Sequence, residues 1–378
     1  MAGRDIVCSA THFWTTTLWQ RPHHIMSRLS ANNRVVYLRP MNILALIKFK
    51  EARAEYKMLS SYNENLHIFM PLIFPYGNRF PFITKINDFL VTLQTKRLIA
   101  KLGFKKPLLW FYSPMGKYLI GKLDESLVVY DCMDEHAEFR FADNRLERYE
   151  IELMNSADLV FTGGRSLYNR KKKFHHNTHL FPSSVDNNHF RLAMLKETLV
   201  PESVSSLKRP VIGYIGAVDE RIDYDLLADL AERRKDWSFA VVGPVVKVKK
   251  RDLPKRANIH YLGKADYSQL PGYLKGFDAG LIPFKQNNLT KMLSPTKTLE
   301  YFSAGCAVAS TPIPDMESDF AGLVHFGESA DELIEAIEKA LKTDRHRLRE
   351  AALCHSWDNT VDSMRDLIRK ALEGKSGQ

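Results

Sequence analysis

The chain has 378 residues, 45% of them hydrophobic and 26% charged, with a formal net charge of +10. That length predicts two domains with cores large enough to need no crosslinks, and the composition excludes a disordered or fibrous chain. The positive balance fits polyphosphate ligands, an anionic membrane surface or nucleic acid; no recognisable nucleic-acid motif accompanies it, so nucleic acid is set aside. Four cysteines, Cys8, Cys132, Cys306 and Cys354, are scattered without C-x-x-C spacing. This argues against a zinc site or a disulfide framework and for a reducing compartment. No leader is read at the start, where Arg4 and Asp5 precede a short strand, and no apolar run reaches the length of a membrane span.

Residues 5–10 read as a buried strand. The polar loop T-H-F-W-T-T-T-L-W-Q-R-P-H-H follows, then a helix at 23–30 and a second strand at 35–38, a βαβ start. The loop lies beyond the carboxyl end of the first strand, where open α/β sheets bind ligands. His12, Trp14, Trp19, Gln20 and Arg21 are therefore candidates for binding an acceptor substrate; simple packing of the loop by its own aromatics is the equal alternative for any one of them. No G-x-G-x-x-G follows the strand, which disfavours a dinucleotide oxidoreductase. Residues 41–106 show little regular pattern. Within them 43–58 is basic and amphipathic, and 78–107 mixes Phe, Ile and Leu with Lys and Arg. Such stretches predict a contact with an anionic membrane surface; an ordinary sheet-covering helix with solvated lysines is the alternative.

Strands are expected at 107–112 and 127–131. The second runs into C-M-D-E-H-A-E-F, which gathers Asp131, Asp134, Glu135, His136 and Glu138 at a strand's carboxyl end. Asp134 and His136 are candidate catalytic residues that would orient an acceptor hydroxyl or take its proton. No ligand spacing there points to a metal. A helix at 147–155 and a strand at 157–162 follow. Residues 196–208, with Pro201 and several serines, read as a linker or hinge. A second α/β unit starts at Pro210 with V-I-G-Y-I-G-A-V-D-E-R. Gly216 after that strand would let backbone approach a phosphate, and Arg221 would pair with it. Gly243 closes a strand at 237–244, and further strands are expected at 259–263 and 277–284. Asn288 and Lys291 lie in the lead-in to the next motif and are further phosphate candidates. Helices at 331–341 and from 356 to about 372 complete the chain.

The most specific stretch is S-P-T-K-T-L-E-Y-F-S-A-G-C-A-V from Ser294. Ser294 suits an N-cap and Pro295 a first helical residue. Lys297 sits where a capping box would carry Glu or Gln, against the positive end of the helix dipole. A cation there makes sense beside a bound anion, because free N–H groups, dipole and ammonium together describe a phosphate site. Glu300, one turn on, can accept hydrogen bonds from two neighbouring hydroxyls, as on a ribose. A surface Lys–Glu pair is the plain alternative.

This run resembles the nucleotide-sugar motif of GT-B glycosyltransferases, family four and its relatives, in which a Pro-x-Lys-x-x-Glu-Tyr run precedes small residues and Gly. Met292 stands where that family often has a further Glu, and Ser183-Ser184 replace its Asn-Gly. W-Q-R-P-H-H resembles an N-terminal signature of bacterial GT-B enzymes of cell-surface polysaccharide synthesis, the teichuronic-acid type among them. The resemblance implies an α/β chain of two Rossmann-like domains facing a cleft. Residues 1–195 would bind the acceptor, 196–208 link, and 209–355 bind the donor, with 356–378 crossing back to the first domain. It implies transfer of a sugar from a nucleotide-sugar, a UDP-sugar for this type, to a saccharide or lipid-linked acceptor, with retention of configuration. No tightly bound cofactor or metal is expected, the nucleotide-sugar being a substrate. Donor contacts fall on Gly216, Arg221, Gly243, Asn288, Lys291, Ser294, Lys297 and Glu300, and Arg221 and Lys297 join Asp134 and His136 as catalytic. The implied location is cytoplasmic, peripheral to the inner face of the plasma membrane. A nucleotide-sugar epimerase of the same fold and an inactive nucleotide-sugar-binding scaffold are the alternatives.

Overall fold

The computed structural model describes residues 1–14, 19–48, 53, 56–138, 143, 145–294 and 296–376. The first half builds an eight-stranded sheet from β1 (Asp5–Ser9), β2 (Arg34–Leu38), β3 (Leu59–Asn63), β4 (Leu66–Phe69), β5 (Leu108–Phe111), β6 (Leu127–Cys132), β7 (Leu159–Thr162) and β8 (Thr178–Leu180). Their order is β8-β7-β6-β5-β1-β2-β4-β3, with every pair parallel except β3–β4. Both faces of the central strands are covered, so they read as continuous apolar runs. Ile6 and Cys8 of β1 enter one core and Val7 the other, as alternate residues of a strand must.

The second half forms a six-stranded parallel sheet from β9 (Val211–Ile215), β10 (Ser238–Val242), β11 (Ile259–Gly263), β12 (Ala279–Ile282), β13 (Val308–Ser310) and β14 (Val324–Phe326). The order β11-β10-β9-β12-β13-β14 reverses direction between β9 and β12, and the crevice beyond such a reversal is where doubly wound sheets bind ligands. The helices that matter below are α1 (Arg21–Leu29), α2 (Pro81–Lys101), α3 (Leu146–Ser156), α4 (Arg165–Lys171), α5 (Thr296–Ser303), α6 (Pro314–Asp319) and α7 (Trp357–Ser376). Helix α7 returns to the first sheet. Its Trp357, Val361, Met364 and Ile368 are buried there, Trp357 stacks on His24 at 5.0 Å, and Arg365 Nη2 donates to the Arg28 carbonyl at 2.9 Å. The chain is thus two Rossmann-like domains facing a cleft, with a C-terminal helix crossing back.

The stretch 41–106, expected to show little regular pattern, carries regular elements among its described residues. It holds the β3–β4 hairpin, a short parallel pair of Met41–Asn42 with Leu72–Ile73, and the 21-residue α2. Helix α2 is not one-sided. It buries Asn87, Val91, Thr95, Leu98 and Ile99, yet leaves Phe82, Ile86 and Phe89 exposed. Of the basic stretch 43–58, Ile43–Lys48 is a short helix with no buried residue; residues 49–52, 54 and 55 lie outside the described residues. Segment 196–208 is less free than a hinge composition suggests. Val204 is buried in the second core with Val185, Phe190 and Ala193. The Lys275 ammonium donates to the carbonyls of Leu195, Lys196 and Thr198 at 2.6, 3.0 and 2.8 Å. Three donors on one ammonium satisfy three carbonyls that no ladder reaches. Among the described residues no helix is long and apolar enough to cross a membrane.

Candidate active site

Helix α5 is fixed by Tyr301. Its hydroxyl accepts the Ile215 N–H of β9 at 2.8 Å, and its ring packs so closely on β12 that a Cβ at Gly280 would come within 3.1 Å. Leu299 and Phe302 bury the same face in the second core. Tyr301→Phe would leave a buried N–H without a partner and is expected to cost about 1–3 kcal/mol in denaturant unfolding; an unchanged midpoint would show that the hydroxyl anchors nothing. With α5 so held, Lys297 and Glu300 face the cleft. Lys297 Nζ donates to Glu300 Oε2 at 2.9 Å, and the Glu300 side chain is only 5% exposed. The pair exists, as in the plain alternative, but its carboxylate is buried in the cleft rather than spread on the surface. Pro295 lies outside the described residues, so its place at the helix start does too.

Between the two sheets is a cavity of about 160 Å³. The second half lines it with Tyr214, Gly216, Ala217, Arg221, Phe284, Leu293, Ser294, Thr296, Lys297 and Glu300; the first half supplies Trp19, Gln20, Arg21, Met133, Asp134, Gly163 and Ser183. Three cations therefore converge. Arg221 is aimed by Asp219, whose oxygens accept from its Nε at 2.9 Å and its Nη2 at 2.8 Å. Burial opposes its charge, but Asp219 outweighs this and holds the guanidinium above its ordinary pKa. Arg21 is buried: Nε donates to Asp131 at 2.8 Å, Nη1 to the Phe181 carbonyl at 2.7 Å, and Nη2 has no partner among the described residues. A buried guanidinium nitrogen without a partner at a cavity wall is costly unless a ligand completes it. The loop that presents Arg21 is itself locked, since the Gln20 N–H donates to His23 Nδ1 at 3.1 Å while His23 Nε2 donates to the Phe13 carbonyl at 2.9 Å.

Asp134 faces the three cations from the end of β6. Burial pushes its carboxyl up, while His136, Arg221, Lys247 and Arg21 pull it down. A carboxyl raised in a cleft suits proton transfer. His136 does not line the cavity; its Nε2 donates to the Tyr112 carbonyl at 2.8 Å and fixes the turn after Asp134. Behind the same turn, Lys171 of α4 is buried between Glu135 and Glu150 of α3, at 2.9 and 2.7 Å.

Other expected contacts are not brought to the cavity. Trp14 is buried among Trp19, His23, Tyr37 and Tyr62. His12 lies beside it, its pKa pushed down to about 3 by burial, with His23, His136 and Arg39 adding to the effect. Gly243 sits behind Gly216, where a Cβ would come within 1.8 Å of the Gly216 carbonyl. Its missing side chain lets the two loops run together. Asn288 and Lys291 are exposed outside the cavity. Met292 is half-buried and packs on the first sheet's apolar core, so this position joins the two halves. The halves also meet through polar contacts: Ser183 Oγ donates to the Ser294 carbonyl at 3.0 Å, the Ser166 N–H donates to Asp315 of α6 at 2.9 Å, and Arg165 pairs with Asp319 at 2.7 Å. Gly164 leaves room for Asp315, whose Oδ2 would lie 2.3 Å from a Cβ there.

A larger cavity, about 550 Å³, opens elsewhere on the first half, at the carboxyl ends of β1, β2 and β5 and against α2. Asp88 lines it, and burial pushes its carboxyl up to about 6 against the pull of Arg145 and Lys117. A carboxyl raised in the folded state binds its proton more tightly there than unfolded. Stability is therefore expected to fall as pH rises from the ordinary 3.8 through about 6. Asp88→Asn should flatten that slope in a melting-temperature profile, and a profile unchanged by the substitution would show that Asp88 is not the group responsible.

Residues 221–365 match a family model described as Glycosyl transferase-like. TuaH of Bacillus subtilis (strain 168), named for teichuronic acid biosynthesis as a glycosyltransferase, is 23% identical over 274 residues, which span 66% of this chain and 68% of TuaH. Sucrose-phosphate synthase from Thermosynechococcus elongatus superposes with a TM-score of 0.72 at 12% identity, over 98% of this chain and 100% of that one. Anabaena HepE in complex with UDP and glucose gives a TM-score of 0.66 at 12% identity, over 97% and 99%. At such identity these likenesses are of fold, and the fold is GT-B.

Proposed function

We propose that this chain, a glycosyltransferase of the GT-B type related to enzymes of cell-wall polysaccharide synthesis, moves a sugar from a UDP-sugar to a saccharide or lipid-linked acceptor, with retention. The supporting observation is one cavity where Arg21, Arg221 and Lys297 converge beside the buried Glu300. The bond from the anomeric carbon to the diphosphate breaks, and the departing diphosphate keeps the electron pair. Fixed cations in a desolvated cleft stabilise that charge more than water does. The acceptor oxygen forms the new bond to the anomeric carbon, and its proton passes to Asp134 or to a diphosphate oxygen. Glu300 takes the ribose hydroxyls in this reading, and the Gly216 backbone approaches a phosphate. We place charge neutralisation on the three side chains rather than on a divalent ion. Residues 209–355 are the donor-binding part, and the N-terminal part holds the acceptor on the cytoplasmic side of the membrane.

Thermal melting against UDP, GDP, ADP and their sugars, with and without EDTA, tests the reading, since a ligand that binds only the folded chain raises the melting temperature. A selective, EDTA-insensitive shift for uridine compounds that Glu300→Ala removes is the expected result. A chain whose melting no nucleotide moves would overturn the donor site; a shift that needs a divalent ion would overturn the neutralisation scheme.

A further inference from the structure

The cavity between the sheets draws its cations from both halves: Arg21 comes from the first, Arg221 and Lys297 from the second. Arg21 opens α1, yet its side chain is held by β6, 110 positions on, where Nε donates to Asp131 Oδ1 at 2.8 Å. Both side chains are buried, at 5% and 0% exposure. Such a pair says little about stability, because desolvating two charges costs about what their attraction returns. Its geometry says more. Asp131 lies on a strand flanked by β5 and β7, beside the wholly buried Trp110 and Tyr112. Burial pushes its carboxyl up, while Arg21, Tyr112 and Trp110 pull it down. With Nε on Asp131 and Nη1 on the Phe181 carbonyl, the plane of the guanidinium is fixed. Nη2, buried and without a partner among the described residues, is left for a ligand.

In a cleft that takes a UDP-sugar, the reading on which this rests, Glu300 and Lys297 hold the nucleotide from the second half. Arg21 approaches from the opposite wall, which it shares with Asp134, the group placed to receive the acceptor's proton. Its charge reaches that carboxyl and helps to pull it down. The phosphate that faces this wall is the one that carries the sugar. We infer that Asp131 is a positioning residue for the transfer, holding Arg21 so that Nη2 meets the β-phosphate, where charge develops as the bond to the anomeric carbon breaks. The departing oxygen keeps the electron pair of that bond, and the guanidinium stays protonated throughout. Asp131 itself is not on the cavity wall and acts only through Arg21. The Phe181 carbonyl ties the same guanidinium to closure. Two residues on, Ser183 Oγ donates to the Ser294 carbonyl of the second half at 3.0 Å. Arg21 therefore meets the diphosphate only when the halves are together, and its contribution falls on the closed form in which the bond breaks.

Calorimetric affinities of the full chain for UMP and UDP test this, since UDP adds the β-phosphate and nothing else. Arg21→Gln is expected to weaken UDP binding by about tenfold to a hundredfold, the range for one hydrogen bond to a charged group, and to leave UMP binding unchanged. Asp131→Asn keeps the guanidinium but frees it, and should lose UDP affinity by about tenfold, again with UMP unchanged. Arg21→Gln/Asp131→Asn should lose no more than Arg21→Gln alone, because two residues that act through one contact do not add. This double variant strands no buried charge and should melt close to wild type, which guards against misfolding of the Asp131 variant. An Asp131→Asn chain that binds UDP as tightly as wild type, a loss shared equally by UMP, or losses that multiply in the double variant would overturn the inference. A wild type that binds both nucleotides, beside variants that bind UDP as it does, removes only this inference; a wild type that binds neither removes the donor site itself.

Discussion

Lys297→Ala is expected to lower kcat at saturating donor by a factor on the order of 10²–10³, the usual loss when one preorganised charge donor is taken from a developing anion. Its ammonium lines the cavity with Arg221 and lies 2.9 Å from Glu300. The same substitution strands the Glu300 carboxylate, 5% exposed, without its cation. A stability loss of about 1–3 kcal/mol should therefore accompany the kinetic one. The two effects separate in Lys297→Met/Glu300→Gln, which removes both charges: melting should recover while activity does not. If the single variant turned over within a few-fold of wild type in single-turnover assays, Lys297 would be a structural partner of Glu300 and no part of the donor chemistry.

The second large effect is expected in the buried cluster directly behind the Asp134 turn. Lys171 carries three donors, and the carboxylates of Glu135 (2.9 and 3.1 Å) and Glu150 (2.7 Å) take all of them. Burial works against its charge, yet Cys132, Glu150 and Glu135 hold the ammonium above its ordinary pKa. Tyr130 donates to the other oxygen of Glu150 at 2.7 Å. Lys171→Met would leave two buried carboxylates facing each other, at a cost of about 3–5 kcal/mol and a melting temperature lower by roughly 10 °C. Because Glu135 follows Asp134 directly, activity should fall with it. Replacing all three charges together, as Lys171→Met/Glu135→Gln/Glu150→Gln, should restore most of the melting temperature, since an apolar or neutral cluster need not be less stable than an ionic one. A Lys171→Met chain that melts like wild type would mean the cluster is dispensable.

The fold was legible where residues repeat a simple rule. Apolar runs ending in Gly or polar loops predicted β1, β2, β5, β6, β7 and β9 within a residue or two, and S-P-T-K-T-L-E-Y predicted α5 with its Lys and Glu on one side. The hairpin β3–β4 was missed because its first strand, L-S-S-Y-N, is mostly exposed and so carries no buried alternation. Site residues were legible only where one segment supplied both the cue and the contact. Lys297, Glu300, Gly216 and Arg221 lie on turns directly after strands or at a helix start. The loop before α1 offered five candidates and no way to choose. His23, by bonding to both Gln20 and Phe13, turns Gln20 and Arg21 into the cleft and leaves Trp14 to packing. Met292 reads in sequence as a lost carboxylate. Only tertiary structure reveals it as an apolar contact of the opposite half. The partners of Asp315 are likewise invisible in sequence, since Ser166 is 149 positions away.

The bonds from Ser183 to the Ser294 carbonyl and from Ser166 to Asp315 tie the two ends of the α5–α6 region to the other half of the molecule. Lys297 and Glu300, held in the second half by Tyr301, therefore face Arg21 and Asp134 across the cleft only while the halves are together. Closure and occupation of the cleft then share one free energy: a ligand that prefers the closed form tightens closure by the factor by which closure tightens the ligand. Affinity measured in solution is the intrinsic affinity reduced by the fraction of molecules already closed. Whatever fills the N-terminal half and favours closure is felt across the cleft as tighter binding on the other side, with no residue in common between the two ligands.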